Sequence, residues 1–184
     1  GKYALIYVLT VYVLSLAAAV FVNSIRSNKR QQACRIGIYL PNTVSTIVAA
    51  TLWTFLFNSR NGYINKILDG IGVGRQLFLG SRSQALICVA IVGIWVVFGY
   101  NMIIFLSALK DVPSEYYEAA KIDGANAVQR FFKITLPSIK GTTIFVLVTS
   151  LIASFQAFDQ IRVMTSGGPG KTTEVTVYYI FQLA

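Results

Sequence analysis

Residues 84–106 read QALICVAIVGIWVVFGYNMIIFL, a run without a single Asp, Glu, Lys or Arg. The hydrocarbon core of a bilayer is about 30 Å thick, so roughly 20 mostly apolar helical residues cross it. One such run could also be a buried helix of a large water-soluble core. The rest of the chain argues against that, because residues 3–22, 36–57 and 141–158 are equally free of charge. With the fourth span taken from 139, and a fifth run that begins near 175 and reaches 184, the sequence predicts an all-α, polytopic transmembrane helical bundle. Its spans lie at 3–22, 36–57, 84–106, 139–158 and 175–184.

Composition agrees. Apolar residues make up 55% of the 184 and charged residues 12%, against roughly 45–50% and about 25% in water-soluble domains. The first run has neither an initiating Met nor a basic leader and is long for a signal core. The start at Gly1 and the stop inside the fifth run are what a fragment of one membrane domain, incomplete at both ends, is expected to show. The net charge of +9 does not point to nucleic acid: the cations form no arm or helix stripe, but sit in short loops beside the spans, where positive charge orients helices and meets anionic lipid. There is no His and no metal-ligand spacing, so no cofactor is expected. Cys34 and Cys88 fall at opposite ends of alternately threaded spans and cannot pair.

Loop 23–35 holds Arg26, Lys29, Arg30 and Arg35 and no acid, which assigns it to the cytoplasm. Alternation then puts 58–83 outside, 107–140 inside and 159–173 outside, with nine Lys and Arg in the inner loops against six in the outer ones. In loop 58–83, Tyr63, Ile64, Ile67 and Leu68 recur at helical spacing between Gly-containing turns, predicting a short amphipathic helix on the outer surface. Gly167-Gly168-Pro169-Gly170 predicts a turn. Pro41, one turn into the second span, is tolerated where helix N–H groups lack partners.

Loop 107–138 is the exception in so apolar a chain, with EYYEAAKIDGANAVQRFFKIT at 115–135. Ser114 is the expected N-cap of a helix over 115–122, with Asp123-Gly124 as its breaker. Asp123 is then the expected cap of a second helix over 125–133, and Leu136-Pro137 the end of the unit. Ala119, Ala120, Gly124 and Ala125 leave a smooth surface that another backbone could approach. Tyr116, Tyr117, Phe131 and Phe132 are anchors of the kind enriched at interfaces. A connector resting on lipid headgroups explains the same residues, and physics alone does not separate the two.

Glu118-Ala119-Ala120, three residues, Gly124, nine residues and Ile134-Thr135-Leu136-Pro137 resembles the EAA loop of binding-protein-dependent ABC transporter permeases. Pro113, Tyr117, Asp123 and Phe131 fit that pattern too. Asn58, Gly62, Ile64 and Asn65, Phe158-Asp159 with the 164–169 loop, and Tyr178-Tyr179-Ile180-Phe181 are similar to the carbohydrate-importing branch. The resemblance implies a non-catalytic permease subunit of a bacterial inner-membrane importer for a sugar or sugar derivative. Its implied partners are two ATP-binding subunits, a second permease (a related chain forming a hetero-dimer, or a copy of itself) and an extracytoplasmic solute-binding protein. The resemblance also makes 107–138 a coupling loop. Glu118 accepts a charge-assisted hydrogen bond from the ATPase, and Ala119, Ala120 and Ala125 pack against it. Asp123 and Gly124 form the turn, and Leu136 and Pro137 tie the unit to the next helix.

Two absences fit this reading. No P-loop Gly-Lys-Ser/Thr pattern occurs, so ATP hydrolysis belongs to another chain; Gly72-Val73-Gly74-Arg75 is an outer turn. None of the four uncharged runs holds an ionisable Asp, Glu, Lys or Arg, which disfavours an ion-coupled secondary transporter. For a sugar path, Trp95, Phe98, Tyr100 and Asn101 cluster in the third span, and Ser150 and Ser154 share a face of the fourth, near Phe155 and Gln156. By resemblance Tyr100, Asn101, Ser150 and Ser154 are the candidate lining. Ser is equally at home at helix–helix contacts, and aromatics in interfacial belts.

Overall fold

The computed structural model describes residues 1–183 and, among them, contains helices and no strands. Ala184, the last residue of the fifth run, lies outside the described residues. Helix α1 (Lys2–Ser24) buries Tyr3, Tyr7, Val11, Ser15, Ala19 and Val22, the stripe that three- and four-residue steps make on a helix. That stripe packs along α5 (Ala85–Lys110), the longest helix of the bundle. At about 1.5 Å per residue both are long enough to cross a bilayer, and these two pass for membrane spans on length and composition. Ser15 Oγ donates to the Phe98 carbonyl across the interface at 2.9 Å, a small polar residue letting two apolar helices approach.

The other two long runs are broken helices rather than straight ones. For run 36–57 the chain forms α2 (Asn28–Tyr39), a 3₁₀ turn at Leu40–Thr43, and α3 (Thr46–Leu56), with the helical parts bent by 94°. Helix thus starts inside the basic loop, and Pro41 opens the 3₁₀ turn instead of sitting near a helix start. The physical reason is local. Pro41 donates no N–H, Thr43 Oγ1 bonds back to the Leu40 carbonyl at 2.7 Å, and Val44 and Ser45 are extended. Asn42 Nδ2 ties the break to the Val96 carbonyl of α5 at 3.2 Å. Just above it, α5 presents Gly99, where a Cβ would run into the Ile38 carbonyl and the Tyr39 backbone. Backbone meets backbone at mid-bundle.

The fourth run forms α9 (Lys140–Phe155), stops at Gln156–Phe158, and resumes as the short α10 (Asp159–Met164). Before α9 a helical path over Ala127–Ser138 meets it at 70°, pivoting on Ile139. Helix α4 (Tyr63–Gly70) occupies the predicted amphipathic segment, with Tyr63 and Ile67 exposed, and α11 (Thr176–Leu183) the fifth run. Cys34 and Cys88 are free.

Two ends of the bundle follow from the contacts. The end of α1 (Asn23, Ser24), Leu109 of α5 and residues 117–135 line one recess. Gly1–Ala4, Leu86 and 172–176 line another at the opposite end.

Candidate coupling site and transport path

The charged interlude folds as helix, turn, helix, with both caps shifted from the sequence expectation. Helix α6 (Ser114–Ile122) is capped at Pro113, so Ser114 is its first residue and makes no capping bond. Asp123 ends α6 instead of starting the next helix. Gly124 takes φ +77, the Ala125 amide bonds the Ala120 carbonyl at 2.8 Å and the Gly124 amide the Lys121 carbonyl at 3.0 Å. That double closure is a Schellman motif, which wants glycine at this left-handed position. The cap of the second helix, α7 (Ala127–Arg130), is Asn126: its Oδ1 accepts the Gln129 amide at 2.9 Å, while Gln129 Oε1 accepts the Asn126 amide at 2.8 Å. This capping box was legible as Asn-x-x-Gln, yet Asp123-Gly124 drew the cap three residues early. Helix continues as a π-helical stretch, Phe131–Thr135, and a last turn α8, Leu136–Ser138. Leu136-Pro137 therefore does not end the unit; the break comes at Ile139.

The tip of this unit is open. Glu118, Ala119, Asp123, Gly124 and Asn126 are exposed, Ala120 and Ala125 half-buried, and a Cβ on Gly124 would meet nothing. Ile122 is 87% exposed, and Tyr116, Val128 and Phe132 more than half. A shallow recess of about 400 Å³ lies under the turn, lined by Ala120, Gly124, Gln129, Arg130 and Lys133. The unit is braced from within: Arg130 Nη1 donates to the Ala125 carbonyl at 2.9 Å. No acid or base here is bridged; the one ion pair among the described residues is Arg75–Asp69, 2.8 Å, in the opposite loop. Glu118 is thus a free, solvated carboxylate beside small residues. Chemically the tip can accept hydrogen bonds and take a close apolar contact.

The four candidate path residues do not form one site. Tyr100 is 49% exposed on the flank of the bundle, while its neighbour Asn101 is 5% exposed and turned inward. Ser154 is buried, bonds its own helix at the Leu151 carbonyl (2.6 Å), and lines a recess with Leu86. Leu86 is 14 residues from Tyr100 on α5, roughly 21 Å along the axis. Ser150 is buried, and its hydroxyl has no partner.

A polar group that composition did not flag lies in the half of the bundle that holds the start of α1. Gln160 Nε2 donates to the Tyr3 hydroxyl at 3.0 Å, Tyr3 and Tyr7 stack at 5.6 Å, and Gly93 leaves the space both rings and the amide occupy. Gln156, Asp159, Thr46 and Tyr7 line a recess of about 180 Å³ beside it, where the breaks after Thr43 and Phe155 come together. Its signal was Tyr3 and Tyr7 four apart. The 58–76 loop is likewise pinned by one residue. Asn65 Nδ2 donates to the carbonyls of Asn58, Ser59 and Gln76 at 2.9–3.3 Å, and its Oδ1 accepts the Gln76 amide at 2.9 Å.

With this geometry in place, residues 11–183 match the family model described as "Binding-protein-dependent transport system inner membrane component". The chain belongs to that family. The chain is 38% identical over 172 residues to the sn-glycerol-3-phosphate transport system permease protein UgpA of Yersinia enterocolitica, covering 92% of this chain and 57% of that one. It is 37% identical over 189 residues to the probable ABC transporter permease protein YesP of Bacillus subtilis, covering 100% and 60%. The chain thus spans little more than half the length of the curated relatives it matches. Among solved structures it is similar, with a TM-score of 0.87 and 26% identity, to a chain of a bacterial alginate ABC transporter in complex with alginate pentasaccharide-bound periplasmic protein. The match covers 99% of this chain and 64% of that one.

Proposed function

We propose that the chain is the membrane-spanning, non-catalytic permease subunit of an ATP-driven importer of a sugar or sugar derivative in the bacterial inner membrane. Loop 107–138 docks on a cytoplasmic ATPase, one of two, and passes its closure to the spans. A second permease subunit completes the path, and an extracytoplasmic binding protein delivers substrate at the Asn65-pinned end. The observation that carries this reading is the tip of the interlude. It presents a free carboxylate, Glu118, two alanines and a left-handed Gly124, with Ile122 uncovered beside them. Exposed apolar side chains grouped this way mark a protein or membrane contact, and the EAA-like spacing of the residues around them favours a protein. Support for import comes from a structural neighbour that is a bacterial ABC transporter involved in the import of the acidic polysaccharide alginate, and from another whose complex contains an alginate-bound periplasmic protein. The four uncharged runs speak against an ion-coupled carrier. Tyr100, Asn101, Ser150 and Ser154 stay candidates for the path, at more than one level of the bundle.

The test is co-purification of the partner ATPase, with transport. Losing one partner of a buried charged contact costs about 2–5 kcal/mol, so Glu118→Ala should weaken ATPase association by that order. Gly124→Val, β-branched at a left-handed position, should do at least as much. Both should insert normally. Wild-type association and transport in both variants would leave the lipid-surface connector as the account.

A further inference from the structure

Helix α6 contributes no buried residue to the protein. Among the described residues, only one side-chain hydrogen bond leaves it, between the Tyr117 hydroxyl and Thr135 Oγ1 at 2.9 Å. Thr135 is 7% exposed and closes the π-helical stretch Phe131–Thr135. Thr135 Oγ1 also lies 3.5 Å from the Arg130 carbonyl, and a hydroxyl can donate to one neighbour while accepting from the other. The Thr135 carbonyl in turn accepts the Ile139 amide at 3.1 Å. Ile139 is 2% exposed, packed with Phe105, Leu106, Leu109 and Val146, at the 70° bend into α9.

The covalent route from α6 to α9 is longer. It runs through the Gly124 turn, α7 and the π-helical turn, the one stretch of 127–138 outside α and cap geometry and the kind of helical irregularity found at functional sites. A helix tethered only by its two ends swings when pulled; a lateral contact turns the pull into displacement of what it touches. We propose that Tyr117 and Thr135 are positioning residues whose hydroxyl pair carries the movement of a docked α6 to the α9 span, with Ile139 as pivot. The proposal rests on the docking of loop 107–138 to an ATPase. It concerns what happens after docking: Tyr117 is half-buried on the bundle side of α6, away from the exposed Glu118–Ala119 edge.

The experiment uses the assembled transporter in lipid nanodiscs. A nitroxide pair sits on exposed Leu14 of α1 and Ile144 of α9, with Cys34 and Cys88 replaced by Ser. The Leu14–Ile144 distance is measured nucleotide-free and after ADP–vanadate trapping, with co-purified ATPase quantified alongside. Tyr117→Phe and Thr135→Val keep shape and remove one hydroxyl each. Both should hold ATPase at the wild-type ratio and lose most of the trapping-induced change in distance. The double variant should lose no more than the worse single one, the signature of a shared contact. Thr135→Ser should behave as wild type. An undiminished distance change in Tyr117→Phe overturns the proposal, as do additive losses in the double variant. Loss of ATPase in Tyr117→Phe also overturns it, since the hydroxyl would then serve docking itself. If Thr135→Val does not fold, Tyr117→Phe decides alone. Failure of the docking reading is separate: it shows as ATPase retained by Glu118→Ala.

Discussion

Single residues decide local geometry here through backbone groups more than through side-chain packing. Asn65 is the clearest case. One buried amide satisfies three carbonyls and one N–H of the 58–76 loop, and Gly62 allows the close turn against the Asn58 backbone that brings them within reach. An intramolecular hydrogen bond contributes about 0.5–1.5 kcal/mol net, and Asn65→Ala would remove the one side chain that ties Asn58, Ser59 and Gln76 together. The variant should therefore insert, but its outer loop should be cut by protease added to the extracytoplasmic face far faster than in wild type. Equal cleavage rates would remove Asn65 from the role of staple. The same scale explains what sequence reading misplaced. Asp123 is a good capping residue by type, but Gly124 must be left-handed, so the α6 terminus claims Asp123 and the next cap falls to Asn126. Asparagine 126 was visible; its priority over Asp123 depends on which carbonyls the turn closes, a property of the folded backbone.

At the scale of elements, apolar periodicity located the helices and could not show where they break. Run 36–57 looks continuous because Pro41, Asn42, Thr43 and Ser45 carry no charge, yet their backbone preferences bend it by 94°. What holds the bend is long-range: Asn42 on Val96, and Gly99 against Ile38. The break at Gln156–Phe158 is likewise uncharged and was read as span. The ends of α1 and α5 meet the 114–138 unit at one pole, and 172–176 meets the start of α1 at the other. With the dense basic loop inside, single cysteines at Ser27 and Asn126 in a chain lacking Cys34 and Cys88 should react with a membrane-impermeant maleimide only after permeabilisation. Cysteines at Asn61 and Lys171 should react in intact cells. Reaction of Asn126→Cys in intact cells would invert the topology.

Across the whole molecule, the proposed function leans on the EAA-like spacing more than on the apolar runs. The runs decide that the chain is a membrane bundle; the interlude is what the proposed use of that bundle rests on. The transport path stayed illegible because it depends on which helix flanks face a cavity. Tyr100 points out of this chain and Asn101 into it, so a path using Tyr100 would lie between this subunit and another. The central claim, that the tip of 107–138 seats in an ATPase, is tested most directly by a photo-crosslinking amino acid at Ile122, 87% exposed beside Gly124. Illuminated in native membranes, it should form an adduct with a nucleotide-binding ABC subunit, identified by mass spectrometry. That adduct should disappear when Glu118→Ala is added. Adducts with lipid alone, at wild-type insertion, would contradict the account.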